Sequence, residues 1–192
     1  TLKLLETLDI PYKVWARKSD DLNSLETKIQ TSTHILLAIP DDIIEEFIIS
    51  NQNMLKNKLK NKIYIHFSGA LYTKLAYGAH PLMSFSNNLY EDHVYSKIPF
   101  ILDNDAPDFK TLFPKLNNPN FKIDITKKTK YHMLCVLANN FTTILWEKVF
   151  ADFEDELNIP KDVLHPILAQ TCDNLTQTKS GKSVLTGPFV RK

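Results

Sequence analysis

Two histidines with neighbouring serines are the residues of this sequence whose types and spacing could do chemistry. The segment "HFSGAL" places His66 before Ser68 and Gly69, and the segment "GAHPLMSF" places His80 before Ser84. Imidazole suits proton transfer or carbonyl polarisation near neutral pH, and a serine hydroxyl can donate or accept a hydrogen bond. We therefore predict that His80 and His66 are catalytic and that Ser68, Gly69 and Ser84 bind substrate.

Each histidine also has a structural alternative, in which it shapes a turn or packs at the end of a strand. A single histidine at a strand end is more often structural, but two neighbouring segments that both offer histidine and serine favour a site. Metal binding would need a third ligand at suitable spacing. We predict no metal, and a zinc hydrolase built on His66 and His80 is the weakest hypothesis.

A basic turn could select the cofactor. The segment "IPYKVWARKS" is predicted to form a strand, and its last residues, Arg17, Lys18 and Ser19, offer two cations and a hydroxyl. In dinucleotide-binding folds, a basic residue at this position accommodates the 2′-phosphate of NADP, whereas an acid favours NAD. We predict that Arg17, Lys18 and Ser19 bind NADP, and a solvated basic turn is the alternative.

The segment "AIPDD" could let a cofactor approach the backbone. Ala38, Ile39 and Pro40 end "THILLAIP", a continuous apolar run typical of a strand buried on both faces. Ligands of open α/β sheets bind outside the carboxyl ends of the strands, so these three are predicted to bind the cofactor. In the alternative, Pro40 begins the next helix and Asp41 or Asp42 caps it.

Paired amides in "YHMLCVLANN" are further substrate-binding candidates. His132 precedes Asn139 and Asn140 by about two helical turns, so the three project to roughly one side of a helix. Amides in an apolar helix need hydrogen-bond partners when they are buried. We predict that Asn139 and Asn140 contact substrate, and hydrogen bonding between helices or subunits is the alternative.

The elements that must position these residues alternate between strands and helices. "KIYIHFSGA", "AYGAHPL", "KIPFILD" and "NFKIDI" are predicted strands that follow "THILLAIP", with helices at "TLKLLETL", "DDIIEEFIISNQNMLKNKL" and "APDFKTLFPKL". This alternation favours an α/β domain over residues 1–125, with a parallel sheet of the doubly wound kind. Helical spacing then predicts an all-α domain over residues 126–192. One face of its first helix would carry Leu134, Leu137, Phe141, Ile144 and Leu145.

The first strand and the glycine-rich turn of a dinucleotide-binding domain are not found in the sequence. Such a domain normally opens with a strand and a G-x-G-x-x-G turn, but residue 1 already lies in a predicted helix. Two explanations stay open: the sequence begins after those elements, or the domain has no phosphate-binding turn.

The composition argues against several classes of protein. A net charge of +1 over 192 residues gives no electrostatic footprint for nucleic acid or an anionic membrane. The two cysteines, Cys135 and Cys172, have no metal-type spacing, which indicates a reduced protein in the cytoplasm. Neither a signal peptide nor a membrane-spanning segment is predicted.

Five segments in series resemble a known family. "HFSGAL", "GAHPLMSF", "YHMLCVLANNF", "QTCDNL" and "LTGPFVR" are similar to Rossmann-like proteins with an uncharacterised helical C-terminal domain, described as NADP- or coenzyme F420-dependent oxidoreductase-like. The likeness runs from about residue 33 to the C-terminus. More distantly, "AHPL" resembles the His-Pro segment of prephenate dehydrogenases. The helical half resembles the C-terminal domains of the 6-phosphogluconate dehydrogenase and pyrroline-5-carboxylate reductase superfamily.

The resemblance implies an NADP-binding fold, with NAD or coenzyme F420 as less favoured cofactors. It also implies that substrate binds between the two domains and that the C-terminal helices form a homodimer. The leading hypothesis is an NADP-dependent oxidoreductase that acts on a small carbonyl- or imine-type metabolite. Its rival is a non-catalytic nucleotide-sensing or dimeric interaction module on the same fold.

Overall fold

The computed structural model describes residues 2–7, 9–55, 62–85 and 88–177. Contacts divide the chain into two compact units, Thr1–Val136 and Leu137–Lys192. The domain boundary that the sequence analysis places after residue 125 remains a prediction. The segment "LTGPFVR", which contributes to the family resemblance, lies outside the described residues.

Strands and helices alternate through much of the first unit as described, although no helix lies between its second and third strands. Its strands are β1 (His34–Leu37), β2 (Ile63–His66), β3 (Tyr77–Pro81), β4 (Phe100–Asp103) and β5 (Asn120–Ile123). Its helices are α1 (Leu2–Thr7), α2 (Leu22–Gln30), α3 (Asp41–Leu55), α4 (Asp92–Tyr95), α5 (Phe109–Leu112) and α6 (Lys128–Val136). A 3₁₀ turn at Ile125–Lys127 precedes α6.

The second unit is helical where the structure describes it. A π-helical turn at Leu137–Phe141 leads into α7 (Thr142–Asp155), and a 3₁₀ turn at Lys161–Leu164 leads into α8 (His165–Gln177). Neither α7 nor α8 buries any of its described residues. No helix in the described ranges is long and apolar enough to cross a membrane.

The five strands form one sheet in the order β1-β2-β3-β4-β5. β1, β2 and β3 run parallel, as do β4 and β5, whereas β3 and β4 pair antiparallel. The predicted Rossmann-like α/β architecture with a helical C-terminal region is confirmed, and the β3–β4 pair departs from a fully parallel sheet. The described part of the β3–β4 connection holds the single-turn helix α4, and the parallel β2–β3 pair is joined without a helix.

Alternating side chains give the sheet two differently packed faces. On one face, Ile65, Ala79 and Leu102 are fully buried in the larger apolar cluster. On the other face, Tyr64 and Leu37 pack with apolar side chains of α3. The core is therefore built on both sides of the sheet, which fixes the strands whose ends carry the predicted site.

One face of the sheet also carries polar residues toward the carboxyl ends of β2 and β3. His66 pairs in register with Gly78, and His80 follows Gly78 by two residues, so all three belong to the same face as Tyr64. Asp103 of β4 accepts a hydrogen bond from the Gly78 N–H at 3.1 Å, which places its carboxylate on this face too.

The "IPYKVWARKS" segment, predicted as a strand, is irregular, and that prediction is wrong. Residues 10–16 pair with no neighbouring strand and lead into a turn. Trp15 Nε1 donates to the Asp21 carbonyl oxygen at 3.0 Å, and the Ala16 N–H donates to Asp20 Oδ2 at 2.9 Å. The second of these bonds satisfies a backbone N–H that a strand would pair with a neighbour. Apolar content alone therefore does not make this segment a strand.

Helix α6 turns a polar side toward the protein interior. Its exposed side includes the apolar residues Met133 and Leu134, which are about half exposed. Its buried or half-buried side chains recur at spacings of three and four residues, and all but the last are polar or contain sulfur: Lys128, Tyr131, His132, Cys135 and Val136. The helix therefore packs polar groups against the polar face of the sheet.

Candidate active site

A pocket of about 310 Å³ opens at the carboxyl ends of β1, β2 and β3. Ligands of open α/β sheets bind at this edge, and the volume lies at the lower end of the range for small-molecule sites. Three polar side chains line the pocket: Asp41, Ser68 and His80. Its apolar lining is Leu37, Ala38, Ile39, Phe67, Pro81, Met83 and Phe85.

His80 is held by side chains of α6. Its Nδ1 lies 2.6 Å from the hydroxyl oxygen of Tyr131. The rings of Tyr131 and His132 stand edge-on to the imidazole, with centroid distances of 5.6 Å and 6.3 Å. Burial, followed by electrostatic interactions with His132 and Lys128, lowers the pKa of His80 from 6.5 to about 4, against the opposing effect of Asp41. His80 is therefore neutral near pH 7.

His66 is enclosed beside this site. Its side chain has no exposed surface, it does not line the pocket, and neither ring nitrogen has a hydrogen-bond partner among the described residues. Burial and then the charge of Lys128 lower the pKa of His66 to about 4, against the opposing effects of Asp103 and Asp41. His66 is thus a neutral interior ring, and its catalytic role stays a prediction.

Ser68 links the β2 end to the start of α3. Its hydroxyl donates a very short hydrogen bond to Asp41 Oδ2 and accepts from the Ala70 N–H at 3.1 Å and the Leu71 N–H at 2.9 Å. The serine therefore organises the turn after β2 and orients a carboxylate at the pocket wall.

Gly69 lies against two histidine rings. A Cβ at this position would stand 2.7 Å from His132 Nδ1 and 3.2 Å from His80 Nε2. No real Cβ tolerates the first contact, so both rings can lie where they do because residue 69 has no side chain. Gly69 therefore shapes the site through the space it leaves.

Ser84 does not line the pocket. Its backbone carbonyl oxygen accepts a very short hydrogen bond from the Tyr90 hydroxyl, which fixes the loop after β3. The exposed Ser84 side chain remains a predicted substrate contact.

A buried ion pair fixes α6 on the sheet. Lys128 Nζ lies 2.6 Å from Asp103 Oδ1, with side chains that are 5% and 2% exposed. The ammonium group also donates to the Leu71 carbonyl oxygen, and the second oxygen of Asp103 accepts from the Gly78 N–H. Since Lys128 begins α6, this pair determines where Tyr131 and His132 stand relative to β3.

The predicted cofactor residues fall in two places. Ala38 and Ile39 line the pocket, whereas Pro40 does not. The sequence-predicted NADP residues 17–19 form an exposed turn, in which Ser19 Oγ donates to the Ala16 carbonyl oxygen and to Asp20 Oδ2. Arg17 and Lys18 have no ion-pair or hydrogen-bond partner among the described residues.

Asn139 and Asn140 lie in the π-helical turn of the second unit, and both are exposed. Asn139 Nδ2 donates to Asn140 Oδ1 at 3.1 Å, and the Asn139 carbonyl oxygen accepts from Thr143 Oγ1 at 3.0 Å. π-helical turns are frequent at functional sites, but substrate contact by these amides stays a prediction.

Tyr131 is the site residue that the sequence analysis missed. Its signal was available in "KTKYHMLC", where polar side chains recur at helical spacing as they would on a face packed against other polar groups. Among the described residues, no group of three or more His, Cys, Asp or Glu side chains is arranged to hold a metal ion.

A family model matches the C-terminal half of the chain. Residues 99–192 match the model described as Domain of unknown function (DUF2520). No curated protein gives a significant match.

Solved structures resemble the fold along most of the chain. A Bacteroides fragilis protein provisionally described as an NADP oxidoreductase has a TM-score of 0.68 and 18% identity, over 97% of this chain and 79% of that one. A Thermotoga maritima protein has a TM-score of 0.60 and 23% identity, over 86% and 70%. Plasmodium falciparum pyrroline carboxylate reductase with NADP bound has a TM-score of 0.61 and 12% identity, over 97% and 80%. At these identities the likeness establishes the fold, which is a Rossmann-like α/β unit followed by a helical region.

Proposed function

We propose that the chain is an NADP-dependent oxidoreductase that acts on a small carbonyl- or imine-type metabolite. The observation that carries the proposal is the pocket that joins His80 and Ser68 to Ala38 and Ile39, at the edge where such sheets bind ligands. The fold shared with a reductase that has NADP bound favours NADP, and NAD or coenzyme F420 are less favoured.

The pocket fits one end of such a cofactor. The small side chain of Ala38 leaves room at the end of β1, and about 310 Å³ suits a nicotinamide ring beside a small substrate rather than a whole dinucleotide. The adenosine end would lie outside the pocket. Arg17 and Lys18 are proposed to bind its 2′-phosphate, because exposed cations without other partners pair well with phosphate. Ser19 and Pro40 complete the proposed cofactor contacts.

The chain's own part in the reaction is polarisation of the acceptor. When bound, the reduced cofactor would supply a hydride. His80 is proposed to donate a hydrogen bond to the oxygen or nitrogen of the acceptor, which makes the attached carbon a better hydride acceptor. Because the pKa of His80 is about 4, the ring is neutral near pH 7, and the proton that completes the reduction comes from solvent.

Contacts with substrate are a further part of the proposal. The Ser68 hydroxyl already donates to Asp41, so its proposed role is to orient that carboxylate at the pocket wall. Ser84, Asn139 and Asn140 have exposed side chains and are proposed as further contacts. Binding of substrate between the two domains, which the family resemblance implies, belongs to the same proposal.

Titration with NADPH and NADH tests the cofactor assignment. We expect the complete protein to quench or shift NADPH fluorescence, with weaker binding of NADH. Replacing Arg17 and Lys18 by alanine should weaken NADPH binding by about tenfold or more and leave NADH unchanged, since the 2′-phosphate is the difference between them. Lys13→Ala is the control, because Lys13 is also exposed but donates to Thr31. Failure to bind either nucleotide would overturn the proposal.

The rival function is a nucleotide-sensing or interaction module without catalysis. The observation that favours it is the low pKa of His80, which leaves the pocket without an imidazolium acid at neutral pH. A screen of small carbonyl and imine compounds for NADPH oxidation separates the two functions. Turnover that His80→Ala reduces would support the enzyme, and tight NADPH binding without turnover on any compound would support the module.

A homodimer through the C-terminal helices is a further part of the proposal. Among the described residues of the second unit, seven apolar side chains are more than half exposed: Phe141, Ile144, Leu145, Leu157, Val163, Ile167 and Leu175. Exposed apolar patches of this kind commonly mark protein interfaces, and a second copy of the chain is the proposed partner. Light scattering should give a dimer that Ile144→Glu with Leu145→Glu dissociates, whereas the control Glu147→Gln leaves it intact. A monomeric parent protein would overturn this part.

A cytoplasmic location completes the proposal. Cys135 and Cys172 are both free thiols, which suits a reducing compartment. Fractionation of cells that express the complete protein checks this location, and recovery from an oxidising compartment would contradict it.

A further inference from the structure

We propose that Tyr131 is a positioning residue, whose hydroxyl holds His80 as the tautomer that carries its proton on Nε2. The Nε2–H would then be the group that meets the substrate. The identity of that substrate as a carbonyl or imine rests on the proposed function, whereas the tautomer rests on contacts within the first unit.

The distance between the two residues suits a hydroxyl donor. Bonds from a hydroxyl to an oxygen measure about 2.5–3.0 Å, whereas N–H donors bond to oxygen at about 2.7–3.2 Å with a mode near 2.9 Å. The 2.6 Å separation between Tyr131 Oη and His80 Nδ1 falls in the range of the hydroxyl donor. Burial, followed by a hydrogen bond and a charge interaction with Cys135, raises the pKa of the Tyr131 phenol, so the hydroxyl keeps its proton.

Accepting at Nδ1 decides the state of the other nitrogen. A neutral imidazole has one donor and one acceptor nitrogen, so a ring that accepts at Nδ1 carries its hydrogen on Nε2. His80 Nε2 has no hydrogen-bond partner within the described residues. The fully buried side-chain atoms without a partner do not include it, so this nitrogen keeps some accessible surface. It is therefore open to a ligand in the pocket that His80 lines.

Two neighbours keep the ring in this orientation without covering Nε2. His132 stands edge-on to His80, at an interplanar angle of 80°. At Gly69, a Cβ would lie 3.2 Å from both Nε2 and Cδ2 of His80, so a side chain there would press on the edge that carries the donor. Tyr131 thus fixes one nitrogen while Gly69 leaves the other uncovered.

An N–H donor selects the kind of group that it can polarise. A carbonyl oxygen or the lone pair of an unprotonated imine accepts such a bond, but a protonated iminium has no lone pair to offer. The substrate class that fits is therefore a small molecule whose reacting group is neutral when it binds.

Nitrogen-15 NMR of the complete protein, labelled at histidine, tests the tautomer directly at pH 7. The sequence has six histidines, and His80→Gln identifies the His80 signals by their loss. We expect the pattern of a neutral ring protonated at Nε2. In Tyr131→Phe this preference should relax toward a mixture, whereas Tyr72→Phe should leave it unchanged, since Tyr72 donates to Asp105 and not to His80. A wild-type ring that is protonated at Nδ1 or doubly protonated would overturn the proposal, and so would an unchanged pattern in folded Tyr131→Phe.

Kinetics and cofactor binding separate this inference from the proposed function. With a substrate found in the screen, Tyr131→Phe should lower kcat by about tenfold or more, because a wrong tautomer removes the donor, while KM and NADPH affinity stay near those of the parent. Equal kcat in parent and variant would count against the positioning role. If the parent protein binds no NADPH, the proposed function fails, and the wild-type NMR pattern still decides the tautomer.

Discussion

Replacing Lys128 by methionine should remove a large part of the first unit's free energy of unfolding. The substitution keeps the length of the side chain but leaves Asp103 as a charge that is 2% exposed, with the Gly78 N–H as its remaining hydrogen-bond donor. Breaking a buried pair by removing one partner costs about 3–5 kcal/mol, because the other charge stays buried and uncompensated. Domains of this size are stable by about 5–15 kcal/mol, so the loss is a large fraction of the whole.

Urea unfolding, monitored by tryptophan fluorescence, measures this loss of stability in the first unit. Trp15 belongs to the first unit and Trp146 to the second, so a Trp146→Phe background reports on the first unit alone. The matched control is Lys13→Met in the same unit, which removes an exposed hydrogen bond to Thr31 and should cost less than about 1 kcal/mol.

A double variant decides whether the loss comes from the stranded charge. Lys128→Met combined with Asp103→Leu replaces the pair by apolar groups, an exchange that is often neutral or stabilising in buried sites. We expect it to recover most of the stability lost in Lys128→Met. A single variant that loses less than about 1 kcal/mol, or a double variant as unstable as the sum of both changes, would refute the reasoning.

Three further substitutions test the interior of the site. The pKa of His66 is about 4 in the folded chain and 6.5 in an unperturbed histidine, so its contribution to stability is complete above about pH 6.5 and is lost as the pH falls toward 4, by at most about 3 kcal/mol. His66→Gln should flatten that slope in urea titrations at several pH values, and a slope equal to the parent's would contradict a neutral ring. Gly78→Ala should cost about 1–3 kcal/mol in the same assay, because its Cβ would stand 2.4 Å from Asp103 Oδ2; full stability would show that the ion pair can move. Gly69→Ala should shift the ring nitrogen signals of His132, whose Nδ1 lies 2.7 Å from the added Cβ position, and unshifted signals would contradict the close approach.

The sheet could be predicted from the sequence because its strands are short apolar runs bounded by turn residues. β1 and β2 follow from "THILLAIP" and "KIYIHFSGA", and α3 follows from its acidic first turn. Helix α2 was not predicted, since two buried residues, Leu25 and Ile29, are a weak periodic signal among polar neighbours. Its clearest mark is the Asp21 cap, which accepts from the Ser24 N–H at 2.6 Å.

The candidate site could be predicted in part, because the carboxyl ends of parallel strands meet at one edge. That rule brought His80, Ser68 and Ala38 together, as the pocket has them. It could not supply Tyr131, which is 51 residues from His80 and reaches it through the packing of α6 on the sheet. Burial likewise distinguishes His66 from His80, although both follow apolar runs with serine two or four residues later.

The enclosure of His66 also has a consequence in time. A proton from solvent can reach either ring nitrogen only when the surrounding structure opens, because the side chain has no exposed surface. After a rapid drop in pH, His66 should therefore take up its proton at the rate at which the first unit opens. The time course of His66 protonation thus reports the rate at which the sheet opens, in addition to the equilibrium that its pKa describes.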